Sequence, residues 1–301
     1  MIEVAGRTTG LPARVFAALA LVWCSATAGP AGDEPPASPR IVSLAPHLTE
    51  LAFDAGIGDM LVGVVEWSDY PAAAASLPRV GDAFRFDLEK ILRLETTHAL
   101  AWGGGTPPGA IAELEALGVA VEIVEIEGLE EIGSAIERLG VLGGSPVTAE
   151  ATAASFRERL ADFRARREST RRAVSIFYQV SERPLFTLGA KHVINEVFAL
   201  CGGVNLFDEL NSEAASVDLE AVLARDPLAI VIGGDRQAAV ETHWASYPNL
   251  RAVACDNILQ VDPALLVRPT PRILDGAGKL CTWLDEEVMH AENPACRIDR
   301  D

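Results

Sequence analysis

Long apolar runs are scarce in this 301-residue chain. After the first 28 residues, no segment approaches the roughly 20 consecutive apolar residues that a membrane-spanning helix needs. Basic residues are also few, since 25 Lys and Arg stand against 43 Asp and Glu and the net charge is −18. Such an acidic surface repels phosphate backbones and anionic lipid headgroups. The composition therefore argues against nucleic acid as a partner and against membrane-surface binding.

The motifs of common enzyme classes are missing as well. The chain has no Walker lysine, no Gly-x-Ser-x-Gly elbow and no His-Glu-x-x-His helix. Its glycine-rich loop at 103–109 has the wrong spacing for a dinucleotide, and its prolines remove backbone N–H donors. The five histidines are scattered. We therefore expect no catalytic residues, no resident metal and no cofactor, while an exported enzyme or metal-binding protein remains the alternative from another class.

The first 28 residues have the pattern of a signal peptide. Arg7 and Arg14 precede an apolar stretch that ends in small residues, which predicts cleavage after Ala28. Lipid anchoring through Cys24 is disfavoured, because the bulky Trp23 stands where a small residue is needed. Export permits disulfides. The four later cysteines allow three complete pairings that spacing does not separate: Cys201, Cys255, Cys281 and Cys296.

Short apolar runs alternate with helical patterns along the rest of the chain. Strands are predicted at 41–44, 62–65, 98–102 and 121–124, and a second series at 173–180, 229–232 and 258–261. This alternation predicts an α/β fold of two lobes, each a mostly parallel sheet flanked by helices. Between them, 148–170 has apolar residues on one helical face and no Gly or Pro, which predicts one long rigid connecting helix.

The predicted domain boundaries follow from these patterns. They are a signal peptide at 1–28, a flexible leader at 29–39, an N-terminal lobe at 40–145, a connecting backbone helix at 146–170, a C-terminal lobe at 171–290 and a C-terminal tail at 291–301.

Aromatic and arginine residues stand just past the predicted strand ends, where α/β sheets bind ligands. In the first lobe these are Tyr70, Phe84 and Trp102, and in the second Phe186, Trp244, Arg268 and Arg272. For any one ring, packing in the core or at its rim is the alternative. Trp102 is the strongest candidate, since it ends a strand beside three glycines.

Each lobe also contains a similar phrase, in which a helix leads into a strand that ends in Gly-Gly. Glu89 and Glu220 occupy the second position of the two helices. The alternative is that both are ordinary surface charges near a helix N-terminus.

From residue 40 to about 286 the chain resembles the vitamin B12-binding periplasmic proteins of bacterial ABC importers. The segments that carry the resemblance are 40–46, 49–53, 68–71 (Ser-Asp-Tyr-Pro), 88–91, 101–102 (Ala-Trp), 201–203, 222–225 and 271–272. The resemblance implies a monomeric periplasmic protein that captures a corrinoid such as cobalamin and delivers it to a membrane permease. It also implies that the aromatics line the corrin and that Asp262 and Arg268 hold its amides.

Further expectations come from the same resemblance. Cys201 and Cys281 should form a disulfide, and Glu89 and Glu220 should dock arginines of the permease. The family can carry a Trp near Ala83, which this chain lacks, so a ferric siderophore or haem remains the alternative cargo. His47 could serve as an axial ligand to a bound metal centre, although capping the adjacent helix is the preferred role.

Overall fold

The computed structural model describes residues 1–3, 5–6, 10, 38–82, 84–167, 173–233, 243–288 and 296. The chain divides into two units, Met1–Ala37 and Ser38–Asp301. The predicted cleavage point after Ala28, Cys24 and Ala83 lie outside the described residues, as does almost all of the predicted tail. Within the described ranges, no helix is long and apolar enough to cross a membrane.

The first lobe is built on a parallel sheet. Its strands are β1 (Ile41–Ser43), β2 (Leu61–Val64), β3 (His98–Trp102) and β4 (Ala120–Val124). Their order is β2-β1-β3-β4, with every pair parallel. Its helices are α1 (Pro46–Asp54), α2 (Leu88–Arg93), α3 (Pro108–Ala116) and α4 (Leu129–Leu142). The central strand β1 is completely buried, as expected for a parallel sheet covered on both faces.

The second lobe repeats this design. The parallel strands β5 (Val174–Gln179), β7 (Gly203–Asn205), β9 (Ala229–Gly233) and β10 (Ile258–Val261) have the order β10-β9-β5-β7. A small antiparallel pair joins β6 (Phe186–Leu188) to β8 (Ala214–Ser216). The helices are α6 (Ile194–Leu200), α7 (Leu219–Arg225), α8 (Arg251–Ala254) and α9 (Ile273–Trp283), and one π-helical turn, Leu284–Val288, follows α9.

One long helix, α5 (Pro146–Arg167), connects the lobes. Its 22 residues correspond to a rod of about 33 Å at ~1.5 Å per residue. Phe156 and Leu160 are buried on its apolar face. Arg159 Nη2 donates to Asp275 Oδ1 of α9 at 2.6 Å, which ties the helix to the second lobe. The predicted fold of two α/β lobes joined by one backbone helix is confirmed, while the exact lobe boundaries stay predictions.

Two disulfides brace the second lobe. Cys201, directly after α6, is bonded to Cys281 in α9 with a Cα–Cα distance of 4.5 Å, as the resemblance implied. Cys255, directly after α8, is bonded to Cys296 with a Cα–Cα distance of 5.6 Å. This second pairing, which the sequence left open, fastens a residue of the C-terminal tail to the lobe.

Candidate functional site

Trp102 ends β3 at the edge where the first sheet presents its carboxyl ends. The ring lies over the glycine turn that follows, since a Cβ at Gly105 would be 2.1 Å from Trp102 Cε3. Thr106 Oγ1 accepts a hydrogen bond from Trp102 N–H at 2.9 Å and tightens the turn. The ring is half-buried. The glycines therefore let a large aromatic side chain lie across its own loop at the strand end, and its stacking on a ligand stays a prediction.

The loop after β2, residues 66–71 (here the aromatic loop), presents two further rings. Tyr70 was predicted and is 44% exposed, whereas Trp67 was missed and is 77% exposed. Phe84, on the next loop, is 69% exposed. Trp67 directly precedes the Ser-Asp-Tyr-Pro segment, so its position was visible in the sequence, but its left-handed backbone with φ +65° was not. These rings offer apolar faces to a large ligand.

A buried ion-pair network links the aromatic loop to the second lobe. Glu50 of α1 has a side chain with 1% exposure, and Arg268 Nη1 donates to its Oε1 at 2.9 Å. The same Nη1 donates to Asp69 Oδ1 at 3.0 Å, and Nη2 donates to the Trp67 carbonyl at 3.0 Å. Arg268 is thus engaged by the first lobe, whereas the resemblance implied a role on cargo amides.

Tyr70 is also engaged from the second lobe. The guanidinium carbon of Arg272 lies 3.7 Å from the centroid of the Tyr70 ring, a cation–π contact. Arg272 Nη1 also donates to Glu50 Oε2 at 3.4 Å. One face of Tyr70 is therefore occupied by the arginine, so its free surface is smaller than that of Trp67.

The prediction that Trp244 stacks on the ligand is wrong. Its ring has 0% exposure and belongs to the core under β5, with its centroid 5.8 Å from that of Phe177. Its Nε1–H donates to Gln179 Oε1 at 2.8 Å, which satisfies the buried donor. Because both the apolar ring and the polar hydrogen have partners inside the lobe, Trp244 is a packing residue.

The other predicted residues of the second lobe lie at strand ends. Phe186 begins β6 and is half-buried. Asp262 follows β10, and its Oδ1 accepts a hydrogen bond from Ala264 N–H at 2.9 Å. Asp262 therefore caps a turn, in addition to any contact with a ligand.

His47 lies beside Trp102, with ring centroids 5.4 Å apart and planes 87° from parallel. The expected capping role is wrong, because the α1 N-cap residue is Ala45 and no side chain caps this helix end. Burial, with smaller contributions from Arg268 and His192, lowers the pKa of His47 to about 3. The ring is therefore neutral at physiological pH. Among the described residues, no three His, Cys, Asp or Glu side chains form a metal-binding group.

A family profile described as periplasmic binding protein matches residues 41–264. The chain belongs to that family. It is 39% identical over 246 residues to a vitamin B12-binding protein of Vibrio cholerae, covering 81% of this chain and 88% of the relative. It is 34% identical to that of Vibrio parahaemolyticus over 243 residues, covering 80% and 88% of the two chains.

Solved structures agree with this placement. The crystal structure of the periplasmic vitamin B12-binding protein of Vibrio cholerae superposes with a TM-score of 0.76 at 39% identity, over 82% of this chain and 97% of that one. A periplasmic haem-binding protein from Pseudomonas aeruginosa superposes with a TM-score of 0.72 at 30% identity, over 81% and 92%. All of these relatives are described as binding proteins.

Within this periplasmic binding fold, Glu89 and Glu220 lie on the surface. Each is the second residue of its helix, Glu89 in α2 and Glu220 in α7, and both are exposed. Glu89 Oε1 accepts from Arg93 Nη1 at 2.8 Å, one helical turn away. The exposed ion pair between Glu89 and Arg93 contributes little to stability. The carboxylates of Glu89 and Glu220 are therefore both accessible to a partner.

Proposed function

We propose that this chain is an exported periplasmic substrate-binding protein that captures a corrinoid such as cobalamin between its lobes and delivers it to the permease of an ABC importer. The observation that carries the proposal is the set of rings at the sheet edge of the first lobe, namely Trp67, Tyr70 and Trp102. Large exposed aromatics gain apolar burial and stacking when a flat macrocycle covers them. The vitamin B12-binding relatives support the same cargo.

The state of the arginines favours a corrinoid over haem. Haem carries propionate carboxylates, which guanidinium or ammonium groups bind strongly. Here Arg268 is paired with Glu50 and Asp69, and Arg272 is shared between Glu50 and the Tyr70 ring. The corrin ring of a corrinoid presents neutral amide side chains, which need no free cation.

A carboxylate beside Trp102 also favours a corrinoid over haem. A Cβ at Gly104 would lie 3.4 Å from Glu213 Oε1, so this acid of the second lobe approaches the turn that carries Trp102. Burial, together with the charge of Glu127, raises the pKa of Glu213 more than the opposing charge of Lys191 lowers it. An anionic cargo would add to this unfavourable electrostatic environment, whereas an amide N–H could donate to the carboxylate.

Calorimetric titration of the purified mature protein with cyanocobalamin, dicyanocobinamide, haemin and a ferric siderophore tests the cargo. We expect saturable heat with the corrinoids only, and tight binding of haemin without corrinoid binding would refute the assignment. Trp102→Ala should weaken corrinoid binding by at least ~1 kcal/mol and leave cooperative melting intact, because a half-buried ring at the strand end is removed without opening a closed core cavity. Trp244→Phe is the matched control and should leave the affinity unchanged.

We further propose that Glu89 and Glu220 dock the permease. A two-lobed protein on a two-fold symmetric transporter needs matching contacts from both halves, and a carboxylate accepts the bidentate fork of an arginine. The double variant Glu89→Arg with Glu220→Arg should bind cargo normally and abolish uptake through the cognate permease. The control reverses two other exposed helix charges, Glu115→Arg with Glu158→Arg. Wild-type uptake by the first double variant would refute the docking assignment.

A further inference from the structure

Trp67 holds an unfavourable backbone conformation within the aromatic loop. Its φ of +65° lies in the left-handed region, which bulky residues adopt only where surrounding contacts fix it. The first lobe supplies two such contacts: Ser68 N–H donates to the Val65 carbonyl at 3.3 Å, and Arg79 Nη2 donates to the Ser68 carbonyl at 3.1 Å. The second lobe supplies another, the bond from Arg268 to the Trp67 carbonyl at 3.0 Å.

Arg268 is well suited to fix this loop because it is immobilised itself. Its side chain has 17% exposure and meets three acceptors of the first lobe, on Glu50, Asp69 and Trp67. Glu50 is held in turn by Thr270, whose Oγ1 donates to the second carboxylate oxygen at 3.1 Å. An arginine bound at both of its terminal nitrogens retains little rotamer freedom. The position of the second lobe therefore determines where the guanidinium holds the aromatic loop.

We propose that Arg268 and Glu50 are positioning residues, which hold the aromatic loop of the first lobe in its cargo-binding conformation from the second lobe. The inference rests on the proposed function, since it assigns Trp67 and Tyr70 to the cargo site. It follows that the affinity of the first lobe's rings for the cargo depends on the orientation of the second lobe. The rings are presented correctly only while the ion pair is closed.

The competing role for Arg268 is direct contact with cargo amides. Glu50 separates the two roles, because its side chain has 1% exposure and leaves no surface for a ligand. If Arg268 bound cargo directly, releasing it from Glu50 would leave the affinity unchanged or improve it. If Arg268 positions the loop, Glu50→Gln must weaken binding as Arg268→Gln does.

Hydrogen–deuterium exchange of the cargo-free protein is the first measurement. Glu50→Gln and Arg268→Gln should each accelerate exchange in residues 66–71, with β1 and β3 still protected. The exposed Asp69→Asn should give a smaller acceleration and provides a variant that does not disturb the core. Arg159→Gln is the matched control, because it breaks another ion pair to the second lobe, with Asp275, far along the chain from the loop.

Titration with cyanocobalamin is the second measurement. Both Glu50→Gln and Arg268→Gln should weaken binding about tenfold, since cargo must then order the loop, and Arg159→Gln should bind like wild type. The positioning role would be overturned if Glu50→Gln and Asp69→Asn left hydrogen exchange in residues 66–71 unchanged. It would also be overturned if Arg268→Gln weakened cyanocobalamin binding while Glu50→Gln left it unchanged. If the wild-type protein bound no corrinoid, the proposed function would fail, while the exchange measurement would still decide the role of the ion pair.

Discussion

Helix α1 ends in Asp54, an aspartate that folding places in unfavourable surroundings. Burial raises the pKa of this carboxyl from 3.8 to about 6, and the nearby charge of Glu50 adds to the rise. The C-terminal end of a helix carries partial negative charge, which disfavours an anion further. Asp54→Asn replaces the carboxyl by a neutral group of the same shape and should therefore stabilise the protein wherever the wild-type residue is charged.

The direction of the pH dependence follows from the order of the pKa values of Asp54 in the folded and unfolded chain. Because the folded pKa lies above that of the unfolded chain, Asp54 contributes its full stabilisation below pH 3.8 and loses it as the pH rises through about 6. The difference between the two pKa values corresponds to about 3 kcal/mol. Relative to wild type, Asp54→Asn should thus gain up to about 3 kcal/mol between pH 4 and pH 8.

Urea unfolding of both proteins at several pH values between 4 and 8 measures this gain. Subtracting wild type from variant at each pH cancels the titration of the other acidic groups, which the two proteins share. A difference in unfolding free energy that stays constant over this range would show that folding does not raise the pKa of Asp54, and the reasoning from burial would be refuted.

Two further predictions concern the second lobe. Trp244→Ala should destabilise the protein by about 3–5 kcal/mol in urea unfolding, because it leaves a cavity and an unpaired Gln179. The cargo affinity of the folded variant should stay unchanged, and a weaker affinity of the fully folded variant would show that Trp244 contacts the cargo. Peptide mapping without reduction should recover Cys255 bonded to Cys296, and alkylated thiols at these positions in the wild type would contradict the pairing. The double variant Cys255→Ser with Cys296→Ser should cost about 4 kcal/mol of stability, the value expected from the chain entropy of the closed loop.

The parallel sheets could be predicted because their strands are continuous apolar runs between helical patterns. The predicted strand at 98–102 coincides with β3, and the one at 258–261 with β10. The short strands β6, β7 and β8 were missed, since their sequences Phe-Thr-Leu, Gly-Val-Asn and Ala-Ala-Ser do not form the kind of apolar run that marked the equally short β1. Helix α1 begins at Pro46, because proline suits the first turn of a helix.

The site could be predicted only where local sequence decides which way a ring turns. Trp102 is followed by glycines that leave room for its side chain, and this is visible in the sequence. Trp244 was assigned wrongly because its partner Gln179 stands 65 positions earlier, on a different strand. Trp67 was missed because its left-handed backbone depends on contacts that include Arg268, about 200 residues away.

The connections between the lobes bear on how cargo is captured. Helix α5 contains no glycine and has proline only at its first residue, so it offers no flexible hinge. The ion pair between Arg268 and Glu50 then joins the two lobes, while the pair between Arg159 and Asp275 ties the connecting helix to the second lobe. Because these contacts are already formed in the protein without cargo, we expect little of the cargo's binding free energy to be spent on ordering it. We therefore expect capture by a site that is already arranged, with only small movements of the loops that carry the rings.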